Sequence, residues 1–136
     1  MTELTVNIDV DDLEEGSRFY REAFALHEGR RFGAFAIELL GGSSKVYLLR
    51  KEAGSASSAT GQERSYGRHW TPVHLDFLVD DLDAAALRAE RAGAIREGAT
   101  LERKWGRLAQ FADPFGHGLC LIQFLGRGYD EVATLD

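Results

Sequence analysis

Residues 5–10 alternate between polar and apolar side chains. Val6, Ile8 and Val10 share one face and Thr5, Asn7 and Asp9 the other, the period-two pattern of a strand buried on one side. A helix is predicted next, capped by Asp12 with Glu15 three positions later in a capping-box arrangement, and with Leu13, Tyr20, Ala23 and Phe24 recurring at helical spacing. Strand-like stretches follow at about 32–40 and 45–50, joined by a turn at Gly41-Gly42, with a short extra strand near Gly29.

The same order then begins again. Val73, Leu75, Phe77 and Val79 alternate with His74, Asp76 and Leu78, and Asp81 is placed to cap a second helix. That helix turns Leu82, Ala85, Ala86 and Ala89 inward, and Gly93 is suited to end it at a left-handed residue. Two more strands are predicted at about 105–112 and 118–124, divided by the turn Asp113-Pro114-Phe115-Gly116. Segment 52–69, rich in Gly, Ser and Ala and without periodicity, reads as a mobile linker, and the tail 126–136 reads as polar and loose. The chain is thus expected to be a single domain, 1–136, with a first module over 3–51 and a second over 70–125.

The two halves align without a gap. Val10-Asp11-Asp12-Leu13 recurs as Val79-Asp80-Asp81-Leu82, a shift of 69 residues (79 − 10), and the same shift sets Val6, Ile8 and Gly29 opposite Leu75, Phe77 and Gly98. Each half offers a sheet with one face covered by its own helix and the other face half polar. Two such faces are expected to be buried against each other or against a second copy, which makes a homodimer the expected assembly. The concavity so formed would be lined by Thr5, Asn7, Asp9 and Tyr47 from one half and His74, Asp76 and Cys120 from the other.

Composition narrows the role. A chain of 136 residues, 44% of them hydrophobic, is long enough for an ordinary globular core. No apolar run approaches the roughly 18 residues that cross a bilayer, so no membrane partner is expected and the cytoplasm is the expected location. The lone Cys120 forms no internal disulfide, which suits a reducing compartment. A net charge of −6 without a Lys/Arg cluster argues against nucleic acid.

A tandem βαβββ pattern whose strand-to-helix junction reads Val-Asp-Asp-Leu, and whose last hairpin runs from Phe111 through Asp113-Pro114-Phe115-Gly116 to Cys120, resembles the vicinal oxygen chelate superfamily of glyoxalases, bleomycin-resistance proteins and extradiol dioxygenases. The resemblance covers about residues 3–125 and implies an α+β fold of two βαβββ modules. It also implies four metal-ligand positions, usually His on the first strand and Glu on the last strand of each module. Those positions hold Thr5, Tyr47, His74 and Cys120, so only His74 matches. A hard ion such as Mn²⁺ or Mg²⁺ needs several oxygen or imidazole ligands, which this set does not supply. Zinc would accept His74 and Cys120 but needs more, with Asp9, Asp76 or Glu38 as candidates.

The resemblance therefore points to a protein that holds a small organic molecule between its modules, with no cofactor expected or, if any, a divalent metal at His74. The alternative is a metal-dependent lyase, isomerase or dioxygenase of the same superfamily. His74 reads either as a hydrogen-bonded wall residue or as a general base. Cys120, between Leu119 and Leu121, reads as a small hydrophobe rather than a nucleophile. Tyr47 reads as a ligand-orienting hydroxyl, and Trp105 either stacks on a ligand or packs at the sheet edge. Asp9, Asp76 and Glu38 would favour a cationic or amine-bearing ligand unless paired by Arg31, Arg50 or Arg107. Asp11, Asp12, Asp80 and Asp81 lie at helix starts and read as caps.

Overall fold

The alternation at the N-terminus becomes β1 (Thr5–Val10) in a computed structural model that describes residues 1–134. α1 (Leu13–Phe24) follows, then β2 (His27–Phe32), β3 (Ala36–Leu40) and β4 (Lys45–Arg50). The strands lie in the order β1-β4-β3-β2, with β1 parallel to β4 and the other pairs antiparallel. Asp12 caps α1, its Oδ1 accepting from the Glu15 N–H at 3.0 Å. Only half of the predicted capping box forms, because the Glu15 carboxylate binds Arg18 instead. α1 buries Leu13, Phe19, Tyr20 and Ala23, and the core they share with the sheet includes Val10, Ile37, Leu39 and Leu48, all shut off from water. The single strand expected over 32–40 is divided. Gly33 adopts a left-handed φ of 57° and turns the chain, so that β2 and β3 form a hairpin.

Segment 52–69 differs from the expected linker. It carries a short hairpin of β5 (Ala56–Ser57) and β6 (Gln62–Glu63) and belongs, up to Gly67, to the first of two compact units, 1–67 and Arg68 onward. Polar bonds rather than apolar periodicity hold it: Arg64 Nε donates to Asp9 Oδ2 at 2.8 Å and the Tyr66 hydroxyl to the Lys51 carbonyl at 2.5 Å.

The second unit repeats the plan with β7 (Leu75–Leu78), α2 (Leu82–Ala92), β8 (Ile95–Arg96), β9 (Leu101–Arg103), β10 (Gly106–Ala112) and β11 (Gly118–Phe124). β7 runs parallel to β11, β11 pairs with β10, and both short strands β8 and β9 line the far edge of β10. Together they take the place that β2 holds in the first unit, where a bulge between Glu28 and Arg31 marks the same interruption. Asp81 caps α2 through the Ala84 N–H at 3.1 Å, and Gly93 ends it at φ 118°. In the predicted turn, the buried Asp113 Oδ1 accepts from the N–H groups of Phe115 and His117 at 2.8 and 2.9 Å.

The tail, expected to be loose, is held as far as Ala133, whose N–H donates to the Tyr129 carbonyl at 2.9 Å. A 3-10 turn over Gly128–Glu131 sets the Tyr129 ring 5.1 Å from Trp105 and 4.7 Å from Phe124, an aromatic contact that polar composition does not reveal. The last two residues of the predicted tail lie outside the described residues. Among the described residues, no helix is long and apolar enough to cross a membrane.

Candidate functional site

Because side chains alternate along strands, the face of the first sheet turned away from α1 carries Thr5, Asn7 and Asp9 of β1, Tyr47 of β4 and Glu38 of β3. Asn7 lies opposite Tyr47, and Tyr47 opposite Glu38, which makes a cross-strand row. Glu38 is the closed end of that row, only 4% exposed. The Tyr47 hydroxyl donates to its Oε2 at 2.8 Å, Arg30 Nη2 donates to the same oxygen at 2.7 Å, and the Arg30 backbone N–H donates to Oε1 at 3.1 Å. The Arg30 guanidinium, then its backbone N–H and the Tyr47 hydroxyl, hold the Glu38 carboxyl down at about 2. Gly29 makes room for this carboxylate, since a Cβ there would lie 2.5 Å from Glu38 Oε1.

Aromatic surface flanks the row. The Arg30 guanidinium lies 5.6 Å over the Phe32 ring, and Phe32 lies 6.4 Å from Tyr47. Phe32 is 44% exposed and Phe35, at the hairpin tip, 74%. Thr5 and Asn7 are exposed, and Asp9 is engaged by Arg64. The arginines expected to neutralise the acidic residues were the wrong ones. Arg31 binds Glu14 and Glu28, Arg107 binds Asp83 and Glu102, and Arg50 stands 3.9 Å from Glu52. Arg30 and Arg64 take their place, because the bulge in β2 turns Arg30 toward Glu38 and the 52–67 hairpin carries Arg64 to Asp9.

The equivalent row in the second unit is Asp76, Cys120 and Gln110, again on the face without the helix. His74 joins it on β7's side, with Nδ1 3.1 Å from Asp76 Oδ1. Glu97 extends it on the other side, its N–H donating to the Gln110 carbonyl at 2.9 Å and its carboxylate gripped by Arg68 at 2.6 and 2.9 Å. Cys120 is 7% exposed. Burial first, and then the neighbouring Asp76 carboxylate, push its thiol up to about 11, so near neutrality it is a protonated thiol and not a nucleophile.

Trp105 does not stand in either row. Its ring packs against Tyr129 and, at 6.3 Å, against Phe124, which supports the edge-packing alternative over ligand stacking. Sequence reasoning also missed Arg30, Phe32, Gln110, Glu97 and Arg64. Alternation from Cys120 across the β10–β11 turn leads to Gln110; nothing local marks the others.

The rows establish which positions correspond. Tyr47 pairs with Asn7 as Cys120 pairs with Asp76, so the last strands are related by a shift of 73 (120 − 47) and the first by 69 (76 − 7); the gap-free alignment expected from the sequence therefore does not extend to the last strands. On the middle strands Glu38 corresponds to Gln110. The residues at the four implied ligand positions do not fit a hard divalent ion. The Tyr47 hydroxyl is committed to Glu38 and accepts from Arg30 at 3.3 Å, so a cation there would meet a guanidinium. Thr5 offers a neutral exposed hydroxyl and Cys120 a protonated thiol.

The fold agrees with that of known proteins. The family description "Glyoxalase-like domain" matches residues 5–122. No curated protein matches the chain. Among solved structures, the genomically encoded fosfomycin resistance protein FosX of Listeria monocytogenes superposes with a TM-score of 0.73 at 16% identity, covering 98% of each chain. A glyoxalase/bleomycin resistance protein/dioxygenase family enzyme from Burkholderia phytofirmans PsJN gives 0.72 at 24% identity, covering 91% of this chain and all (100%) of the other. Lactoylglutathione lyase from Agrobacterium tumefaciens gives 0.63 at 18% identity over 90% of this chain and 92% of that one. With this α+β fold, two βαβββ units and a match over most of its length, the chain belongs to the glyoxalase-like domain family.

Proposed function

We propose that the protein binds a small organic molecule bearing an aromatic ring on the helix-free faces of its sheets, without the hard divalent ion that the superfamily resemblance implies. One observation carries this reading. Where a metal ligand would stand in the first unit, Tyr47 is closed into a hydrogen-bonded network with Glu38 and Arg30, and the exposed Phe32 ring lies 6.4 Å from it. Such a network turns a metal position into a ligand surface. The ring faces of Phe32 and Tyr47 offer stacking, and the exposed part of Arg30 offers donors to an acceptor or anionic group.

The preference for an amine-bearing ligand, expected from the acidic residues, loses its basis here. Asp9 and Glu38 are both paired with arginines, so the first unit's face is neutralised. The neighbours named for fosfomycin resistance and for lactoylglutathione lyase make a small-molecule role the natural starting point. Thermal unfolding of chelator-treated protein tests the proposal. Aromatic carboxylates or phenols are expected to raise the Tm, Phe32→Ala is expected to abolish the rise, and Mn²⁺ or Mg²⁺ is expected to leave it unchanged. Stabilisation by Mn²⁺ that depends on Thr5 or Tyr47, or a ligand response unaffected by Phe32→Ala, would overturn it.

A further inference from the structure

We propose that His74, Asp76 and Cys120 form a binding site for a thiophilic divalent cation of the Zn²⁺ class, built entirely within the second unit. Two features of the backbone bring the ligands together. His74 immediately precedes β7, two positions before Asp76, with its Nδ1 3.1 Å from Asp76 Oδ1, and Asp76 is the direct cross-strand partner of Cys120. Their ligand atoms all lie within 4.8 Å of one another, and His74 Nδ1 and Asp76 Oδ1 are already 3.1 Å apart. Tetrahedral bonds of about 2.0–2.3 Å separate ligand atoms by about 3.5 Å, so closing the site asks for a movement of roughly 1 Å. The half-exposed side chains of His74 and Asp76 have that freedom, while the buried Cys120 supplies a fixed point.

The chemistry of the set selects the ion. A thiolate with an imidazole is a soft pair that favours Zn²⁺ over Mg²⁺ or Mn²⁺. In the metal-free protein the Cys120 thiol lies beside the Asp76 carboxylate, within 4.8 Å. The ion takes the place of the thiol proton: a metal–sulfur bond forms, the S–H bond breaks, and the proton leaves to solvent with no change of oxidation state. One carboxylate and one thiolate then balance the two charges of the cation. Glu97, further along the row, adds no excess because Arg68 holds it. The solvent-facing side leaves a fourth position open.

Asp76 is not among the four positions that the resemblance implies, and the site makes no use of Thr5 or Tyr47. It shares no residue with the ring-binding face proposed for the first unit. Titrating Co²⁺ into chelator-treated protein and recording its absorption tests the proposal. A sulfur-to-cobalt charge-transfer band is expected, saturating at a single ion per chain. The band is expected to vanish in Cys120→Ser, and affinity to fall roughly tenfold or more in the surface variants Asp76→Asn and His74→Ala. A roughly hundredfold excess of Mn²⁺ is expected not to displace the cobalt.

The proposal is overturned by the absence of the band in the wild type, by its survival in Cys120→Ser, by unchanged affinity in Asp76→Asn, or by displacement by Mn²⁺. Because Asp76 and His74 lie at the surface, their variants keep the test meaningful if the Cys120 variant folds poorly. Phe32→Ala separates the two proposals, since it removes the response to aromatic ligands and leaves the cobalt spectrum as it was.

Discussion

The row Asn7–Tyr47–Glu38 and the row Asp76–Cys120–Gln110 occupy the same strands of the two units, with the same register between first and last strand. Their chemistry has diverged. In the first, a buried carboxylate closes one end and draws in Arg30 and Tyr47 to satisfy it. In the second, a neutral amide stands at that place, so no arginine is needed there, and the ligand atoms of His74, Asp76 and Cys120 remain grouped within 4.8 Å of one another. The difference follows from the cost of burying charge. A buried carboxylate must have a counter-charge and several donors, whereas a glutamine imposes no such demand on its neighbours. A single exchange on the middle strand therefore decides whether the row closes on itself or stays open to a ligand.

The largest effect should come from the part the units share. Leu48 and Leu121 follow Tyr47 and Cys120, point to the helix-covered face, and are both fully buried. Leu48→Ala and Leu121→Ala should each cost about 3 kcal/mol in denaturant unfolding. A cost below about 1 kcal/mol for one of them alone would break the equivalence of the two cores.

Next come the paired glycines, aligned by sequence but held for different reasons. Gly29→Ala drives a Cβ to within 2.5 Å of Glu38 Oε1 and 2.8 Å of Leu40 Cδ1, and should cost about 1–3 kcal/mol with disturbance of the carboxylate. Gly98 has open space around it but a φ of 91°, so Gly98→Ala should cost about 1 kcal/mol from backbone strain alone. The Tm of each variant, with the acid limb of its pH profile, distinguishes the two. A normal acid limb in Gly29→Ala would mean that the row tolerates the crowding.

The smallest effect is electrostatic. Glu38 titrates at about 2 in the folded protein, below its ordinary 4.5, so its ionised form contributes stability above pH 4.5 that is lost as pH falls toward 2. Glu38→Gln, which gives the first row the amide of the second, should flatten the Tm profile over that interval by roughly a few degrees. Wild type and variant falling in parallel from pH 4.5 to 2 would show that the carboxylate is not held as the hydrogen bonds indicate.

Much of this molecule is legible before folding. The repeated Val-Asp-Asp-Leu marks both strand-to-helix junctions, and the alternation around it correctly sorts Asn7, Asp76 and His74 onto the faces without helices. Asp12 and Asp81 cap helices as their spacing requires, and Asp113 organises the turn before β11. The partners of the acidic groups were not legible. Arg30 and Arg31 are neighbours in sequence and chemically identical, and only the bulge in β2 decides which of them reaches Glu38. Arg64 lies in a segment without periodicity, and its bond to Asp9 spans 55 residues of chain. Tyr129 likewise reaches Trp105 through a turn that composition alone describes as a loose tail.

What the sequence determined by itself is the local and the repeated: strands with one apolar face, capped helices, a duplicated unit, and the identity of the residues at the implied ligand positions. These rest on side-chain period and short-range hydrogen bonds, which act within a few residues. Only the tertiary structure decided that Tyr47 is taken up by Glu38 and Arg30 while His74, Asp76 and Cys120 stand within ligand distance of one another. Those outcomes depend on strand register and on a bulge, and register is a relation between segments that neither segment carries alone.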